Sequence, residues 1–238
     1  FRRVLFRSMN IGIFVLLLSV AVAYEKALCG EYEMLPDECY YFSCDRSVDG
    51  ELCLPLDRGY YPEFFTSFRI SMALTEDYRY RLRFIVYAYL HCTMPIFNID
   101  TYVYKPLLRN STYYPEGTYM DSEFKDVNMT PLRDDLEYDL DLDCKIPLEK
   151  DQTFEVLHMN SEEQMCMYDM SGSAPVDLFE MIRKIIDYLS PAIDIKWIDH
   201  DNITVSNENM GLVSQYISIS EVNMTRINND PCTSLKSL

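Results

Sequence analysis

Residues 78–90, YRYRLRFIVYAYL, limit the possible folds more than any other stretch. Tyr78, Tyr80, Leu82, Phe84, Val86, Ala88 and Leu90 fall on one side of an extended chain. Arg79, Arg81, Arg83, Ile85, Tyr87 and Tyr89 fall on the other. A period of two held this long, in aromatic and β-branched residues, predicts a strand. Residues 68–74 alternate in the same way, with Phe68, Ile70, Met72 and Leu74 on one face. Thr75, Glu76 and Asp77 offer a turn between them, so the two segments predict a long β-hairpin.

Further alternation predicts more strands. A weaker one covers residues 97–103, and residues 110–117 read as a glycosylated loop. The cleanest pattern is residues 136–146, LEYDLDLDCKI. It predicts a strand with Leu136, Tyr138, Leu140, Leu142, Cys144 and Ile146 facing one way and Glu137, Asp139, Asp141 and Asp143 the other. Short strands are expected over 153–159 and 165–170, and the tail alternates again at Ile193, Ile195 and Trp197 and over 213–219.

The period changes in residues 176–189, where Leu178, Met181, Ile182, Ile185, Ile186 and Leu189 form a helical stripe. Ser173 is the expected cap, with Pro175 in the first turn and Pro191 ending the helix. The expected fold is therefore mainly β (α+β): an antiparallel β-sandwich or barrel, disulfide-stapled, with one amphipathic helix packed on it.

The front of the chain predicts export. Residues 1–8 read as a non-native leader ahead of Met9, and residues 9–23 as a signal peptide. Its apolar run ends in Ala21-Val22-Ala23, a small-residue cleavage pattern before Tyr24. The run is too short for a membrane span, which needs roughly 20 residues, so no anchor is expected after cleavage. The rest of the chain divides into a cysteine-rich loop segment, 24–60, and an antiparallel β domain with one helix, 61–238.

All eight cysteines lie behind the signal: Cys29, Cys39, Cys44, Cys53, Cys92, Cys144, Cys166 and Cys232. An even number in an exported chain predicts disulfides. A zinc cluster over residues 29–53 is disfavoured, since that stretch has no C-x-x-C pair and no histidine. Four Asn-x-Ser/Thr sequons, at Asn110, Asn128, Asn202 and Asn223, predict exposed glycosylated loops.

Charge narrows the function. Thirty-eight acidic residues against 21 Lys and Arg give −17. Nucleic-acid binding is excluded as an expectation, because neutralising phosphates needs a basic surplus. No cofactor motif is present, and seven glycines leave little for a glycine-built phosphate cradle. Arg79, Arg81 and Arg83 form a basic row, and Glu137, Asp139, Asp141 and Asp143 an acidic one. On neighbouring strands the rows would pair and fix the register. Otherwise the acidic row is a stripe for a basic partner, since charged stripes steer association. Calcium binding by Asp139, Asp141 and Asp143 is disfavoured: alternate strand residues sit about 7 Å apart and do not converge on an ion.

Three functions remain. The first is a secreted, acidic glycoprotein that binds a basic extracellular protein ligand without catalysis, in the manner of an immune modulator. The second is a β-barrel carrier of a small apolar molecule, lined by the inward rows of 78–90 and 136–146. The third is a secreted hydrolase, for which His200 between Asp199 and Asp201 is the one candidate base, with no nucleophile motif to match it.

Overall fold

A computed structural model of the chain describes residues 29–41, 67–75, 77–89, 91–104, 106–112, 114–121, 123–157, 166–168, 175–189, 193–199, 201–206 and 221–228. The expected leader and signal, Cys44, Cys53, Cys232, His158, His200, Ser173 and the 213–219 strand lie outside these residues.

The hairpin forms as the alternation requires. Strands β3 (Ser67–Leu74) and β4 (Tyr80–Tyr89) are antiparallel, with Phe68 opposite Val86, Ile70 opposite Phe84, Met72 opposite Leu82 and Leu74 opposite Tyr80. Strand β5 (Thr93–Val103) continues the meander, and Phe97, Ile99 and Val103 join the apolar face. His91 and Cys92 close the β4–β5 connection with φ of 59° and 51°. A disulfide from Cys92 to Cys39 fixes that turn.

The segment read as cysteine-rich loop contributes two strands, β1 (Gly30–Met34) and β2 (Tyr40–Tyr41). Both pair with β3, so within the expected loop segment Gly30–Met34 and Tyr40–Tyr41 belong to the main sheet. Tyr32 and Met34 point into the core while Glu31 and Glu33 do not, a short alternation hidden among the cysteines. Strands β6 (Leu107–Asn110), β7 (Thr118–Asp121), β8 (Asp126–Pro131), β10 (Phe154–Glu155), β13 (Ile193–Trp197), β14 (Asn202–Ser206) and β15 (Val222–Asn228) complete a sheet in the order β10-β8-β5-β4-β3-β1-β15-β14-β13-β7-β6. It curls into a half-barrel. β15 bridges two half-sheets, pairing with β1 on one side and β14 on the other.

The strand expected over 136–146 does not exist. Residues Leu136–Asp139 form one helical turn, α1, and only Leu142–Cys144 are extended, as β9. Leu136 and Leu140 are four apart and share a helix face; Leu140 and Leu142 are two apart and share a strand face. The leucines therefore satisfy either period, and the backbone decides. Asp135 and Asp141 adopt φ of 61° and 53°, in the left-handed region, where an extended run breaks. Tyr138, expected inward, is 89% exposed.

β9 belongs to a separate three-stranded sheet with β11 (Cys166–Tyr168) and β12 (Val176–Asp177), and the Cys144–Cys166 disulfide joins two of its strands. The helix, α2, spans Leu178–Leu189 and follows β12 directly. Its cap is Asp177, whose carboxylate accepts from Phe179 N at 3.0 Å, in place of the expected Ser173. Leu178, Met181, Ile182 and Ile186 of its stripe join the sheet's apolar face in one core, where Phe179 meets Phe154 at 5.9 Å. The antiparallel β architecture with one packed, amphipathic helix and disulfide staples is as the sequence predicts.

Candidate functional site

The two charged rows are not partners. Arg81 and Arg83 project from β4 on the polar face of the sheet, where the register sets Arg83 opposite Asp100 of β5. Asp100 accepts from Arg83 Nε at 2.8 Å and Nη2 at 2.9 Å, a bidentate pair. Arg81 donates to Glu31 of β1 at 3.1 Å and lies 3.8 Å from Asp100. Glu31 of β1, Arg81 and Arg83 of β4 and Asp100 of β5 thus form one chain of charges reaching over β3, and Asp100 is only 7% exposed. The hydrogen bonds that Arg83 donates to Asp100 hold its guanidinium protonated more firmly than usual, against the opposing effect of burial. Arg79 turns away to the β3–β4 connection and pairs with Asp77 at 2.7 Å. Burial raises the Asp77 carboxyl, but bonds from Arg79 and Thr75 outweigh it and leave it below its ordinary value.

The same face carries Tyr102 and Tyr104, stacked at 6.5 Å. Tyr104 donates to Asp126 at 2.6 Å; that bond, with some burial, pushes the phenol up to about 12. Asp100, Glu31 and Asp126 were not among the sequence candidates. The signal for Asp100 lay in the hairpin arithmetic, since folding 97–103 back on β4 places it beside an arginine.

The acidic residues stand elsewhere, on an anchored knuckle. Residues 134–143, DDLEYDLDLD, hold six acids and no base. Leu136, Leu140 and Leu142 insert into the core and hold the segment down. Glu137 accepts from Leu148 N, Asp139 pairs with Arg133 at 3.5 Å, and the Cys144–Cys166 disulfide follows directly. Asp134, Asp135, Asp139, Asp141 and Asp143 are exposed around Tyr138. Among the described residues no cluster of three or more His, Cys, Asp or Glu is arranged to hold a metal ion.

Three of the sequons lie in strands rather than loops, Asn128 within β8 and Asn202 and Asn223 in β14 and β15, while Asn110 ends β6 and its Ser111 and Thr112 enter the β6–β7 turn. An apolar residue between Asn and Thr reads as strand alternation, and Met129, Ile203 and Met224 are indeed core residues. Asn202 and Asn223 face each other's threonines. Thr225 donates to Asn202 Oδ1 and Thr204 to Asn223 Oδ1, both at 2.9 Å. The Asn202 amide nitrogen also donates to both carboxylate oxygens of Asp199 at 2.9 Å.

The disulfides Cys39–Cys92 and Cys144–Cys166 form, and Cys29 is disulfide-bonded as well. No helix among the described residues is long and apolar enough to cross a membrane. His91 is exposed at the β4–β5 turn. Fold and sites together define a disulfide-bonded, acidic half-barrel with a charged face and an anchored acidic knuckle. Compared with known families, characterised proteins and solved structures, the chain matches none.

Proposed function

We propose that the protein is secreted and N-glycosylated, and that it acts by binding a basic extracellular protein ligand through the knuckle at residues 134–143. One observation carries the reading: six acids crowd an exposed segment whose leucines are fixed in the core. Fixed charges steer a partner and cost little ordering on contact. Tyr138, 89% exposed at the centre of these acids, offers the large amphipathic surface typical of recognition anchors. The charged face of the sheet is a poorer candidate, because its arginines and acids already satisfy one another.

The carrier reading has less support. Tyr80, Leu82, Phe84, Val86 and Ala88, which would line its cavity, pack in the core shared with α2.

The test is capture from extracellular fluid on the oxidised, immobilised chain, beside Asp135→Asn/Asp139→Asn/Asp141→Asn/Asp143→Asn and Tyr138→Ala variants. A basic protein held by the wild type, released steeply by salt and lost from both variants, supports the reading. Equal capture by the quadruple variant, or a co-purifying apolar molecule with no protein, overturns it.

A further inference from the structure

In three of the four sequons the middle residue, Met129, Ile203 or Met224, belongs to the core. The fourth, Asn110-Ser111-Thr112, has no apolar middle residue to explain it. It sits where β6 ends the main sheet, with no strand beyond it among the described residues. All four residues of β6 are exposed, including Leu107 at 57% and Leu108 at 39%. Ser111 N donates to Gly117 O at 3.0 Å, which marks 111 and 117 as a hydrogen-bonded pair of the β6–β7 hairpin. By the alternation of antiparallel ladders, Arg109 and Leu107 also bond toward β7. The backbone N–H and C=O groups of Leu108 and Asn110 then point outward, away from the sheet.

An exposed apolar edge of this kind recruits another edge unless it is covered or charged. Arg109, its one charge, is engaged with Asp121 at 3.3 Å. We propose that Asn110 carries an N-linked glycan that covers the free edge of β6 and prevents edge-to-edge pairing with a second copy of the chain. The inference rests on the secreted reading above. The Asn110 side chain leaves the backbone between the outward-pointing groups it would shield, on the side of the strand that it shares with Leu108.

The experiment expresses the full chain in a secretory eukaryotic host, maps glycopeptides by mass spectrometry, and measures mass by light scattering in raised salt, which screens the like charge between copies. The expected result is an occupied Asn110 and a monomer. Asn110→Gln and Thr112→Ala, which both destroy the sequon, are expected to double the mass, and adding Leu108→Lys is expected to restore the monomer. Should the variants fail to be secreted, endoglycosidase trimming of the purified wild type is expected to produce the same doubling. Asn110 bare while other sequons carry sugar overturns this inference and leaves the secreted reading standing; four bare sequons overturn both. An occupied Asn110 whose loss or trimming leaves the mass unchanged refutes the edge-covering role.

Discussion

Asp100 is the residue on which the charged face depends, and its removal tests whether that face is a structural network. Asp100→Ala deletes both bonds to Arg83 and the longer approach of Arg81. The side chains of Asp100, Arg81 and Arg83 are 11%, 17% and 31% exposed, between a surface pair and a buried one. Exposed pairs contribute roughly 0.2–1 kcal/mol, and breaking a buried pair costs about 3–5 kcal/mol. The expected loss is about 2–3 kcal/mol, because the Arg83 guanidinium loses its acid while Arg81 keeps Glu31 and solvent still reaches Arg83. Arg83→Met should cost less, about 1–2 kcal/mol, since Asp100 keeps Arg81 nearby. A double-mutant cycle on Arg83→Met and Asp100→Asn should give a coupling of about 1–2 kcal/mol, only partly reduced by added salt. The assay is urea unfolding of the oxidised protein followed by far-ultraviolet circular dichroism, with an unchanged m value. A coupling near zero, or a loss below about 0.5 kcal/mol for Asp100→Ala, would refute the reasoning and leave the face as independently solvated charges.

Three further outcomes are expected. Asp177→Ala should cost about 1 kcal/mol through loss of the α2 cap, whereas Asp177→Asn keeps an acceptor for Phe179 N. Burial outweighs the bonds from Phe179 and Cys166 and raises the Asp177 carboxyl above its ordinary value. The folded state therefore holds that proton more tightly, and this stability, present below the unfolded value, is lost as pH rises through the folded one; Asp177→Asn should accordingly gain on the wild type between pH 3 and pH 7 in thermal melts, and a pH-independent difference would refute this. Gly117→Ala should destabilise by about 1–3 kcal/mol in urea unfolding, because the added Cβ meets Tyr114 Cβ at 2.7 Å and the Ile195 carbonyl oxygen at 2.9 Å. Leu136→Ala, at a fully buried site, should cost about 2–5 kcal/mol and loosen the acidic knuckle, read as faster amide exchange over 137–143.

The parts of the fold legible in the sequence are those where one periodicity holds alone. Residues 68–90 offer only a period of two and form the expected hairpin. The α2 stripe offers only a helical one, so its body is right, while the boundary moves because Asp177 competes for the cap. Residues 136–146 satisfy both periods, and the left-handed backbone of Asp135 and Asp141, which no hydrophobic pattern encodes, decides between them. β14 and β15 were hidden because Asn and Thr read as sequon before they read as strand. The acidic residues of the candidate site were legible as a group, but their placement on a knuckle apart from Arg79, Arg81 and Arg83 was not. Strand neighbours are set by long-range pairing such as β1 with β15.

That last pairing governs the order in which the molecule can be finished. β15 is synthesised after every other described strand, and among the described strands it is the one that couples the six-strand run ending at β1 to the four-strand run beginning at β14. Until it emerges from the ribosome, Tyr32 and Met34 sit on an open seam. Folding therefore cannot close progressively from the N-terminus, and until β15 arrives that seam is open to a stray strand. A premature stop before Val222 would yield two unjoined half-sheets rather than a slightly shortened protein.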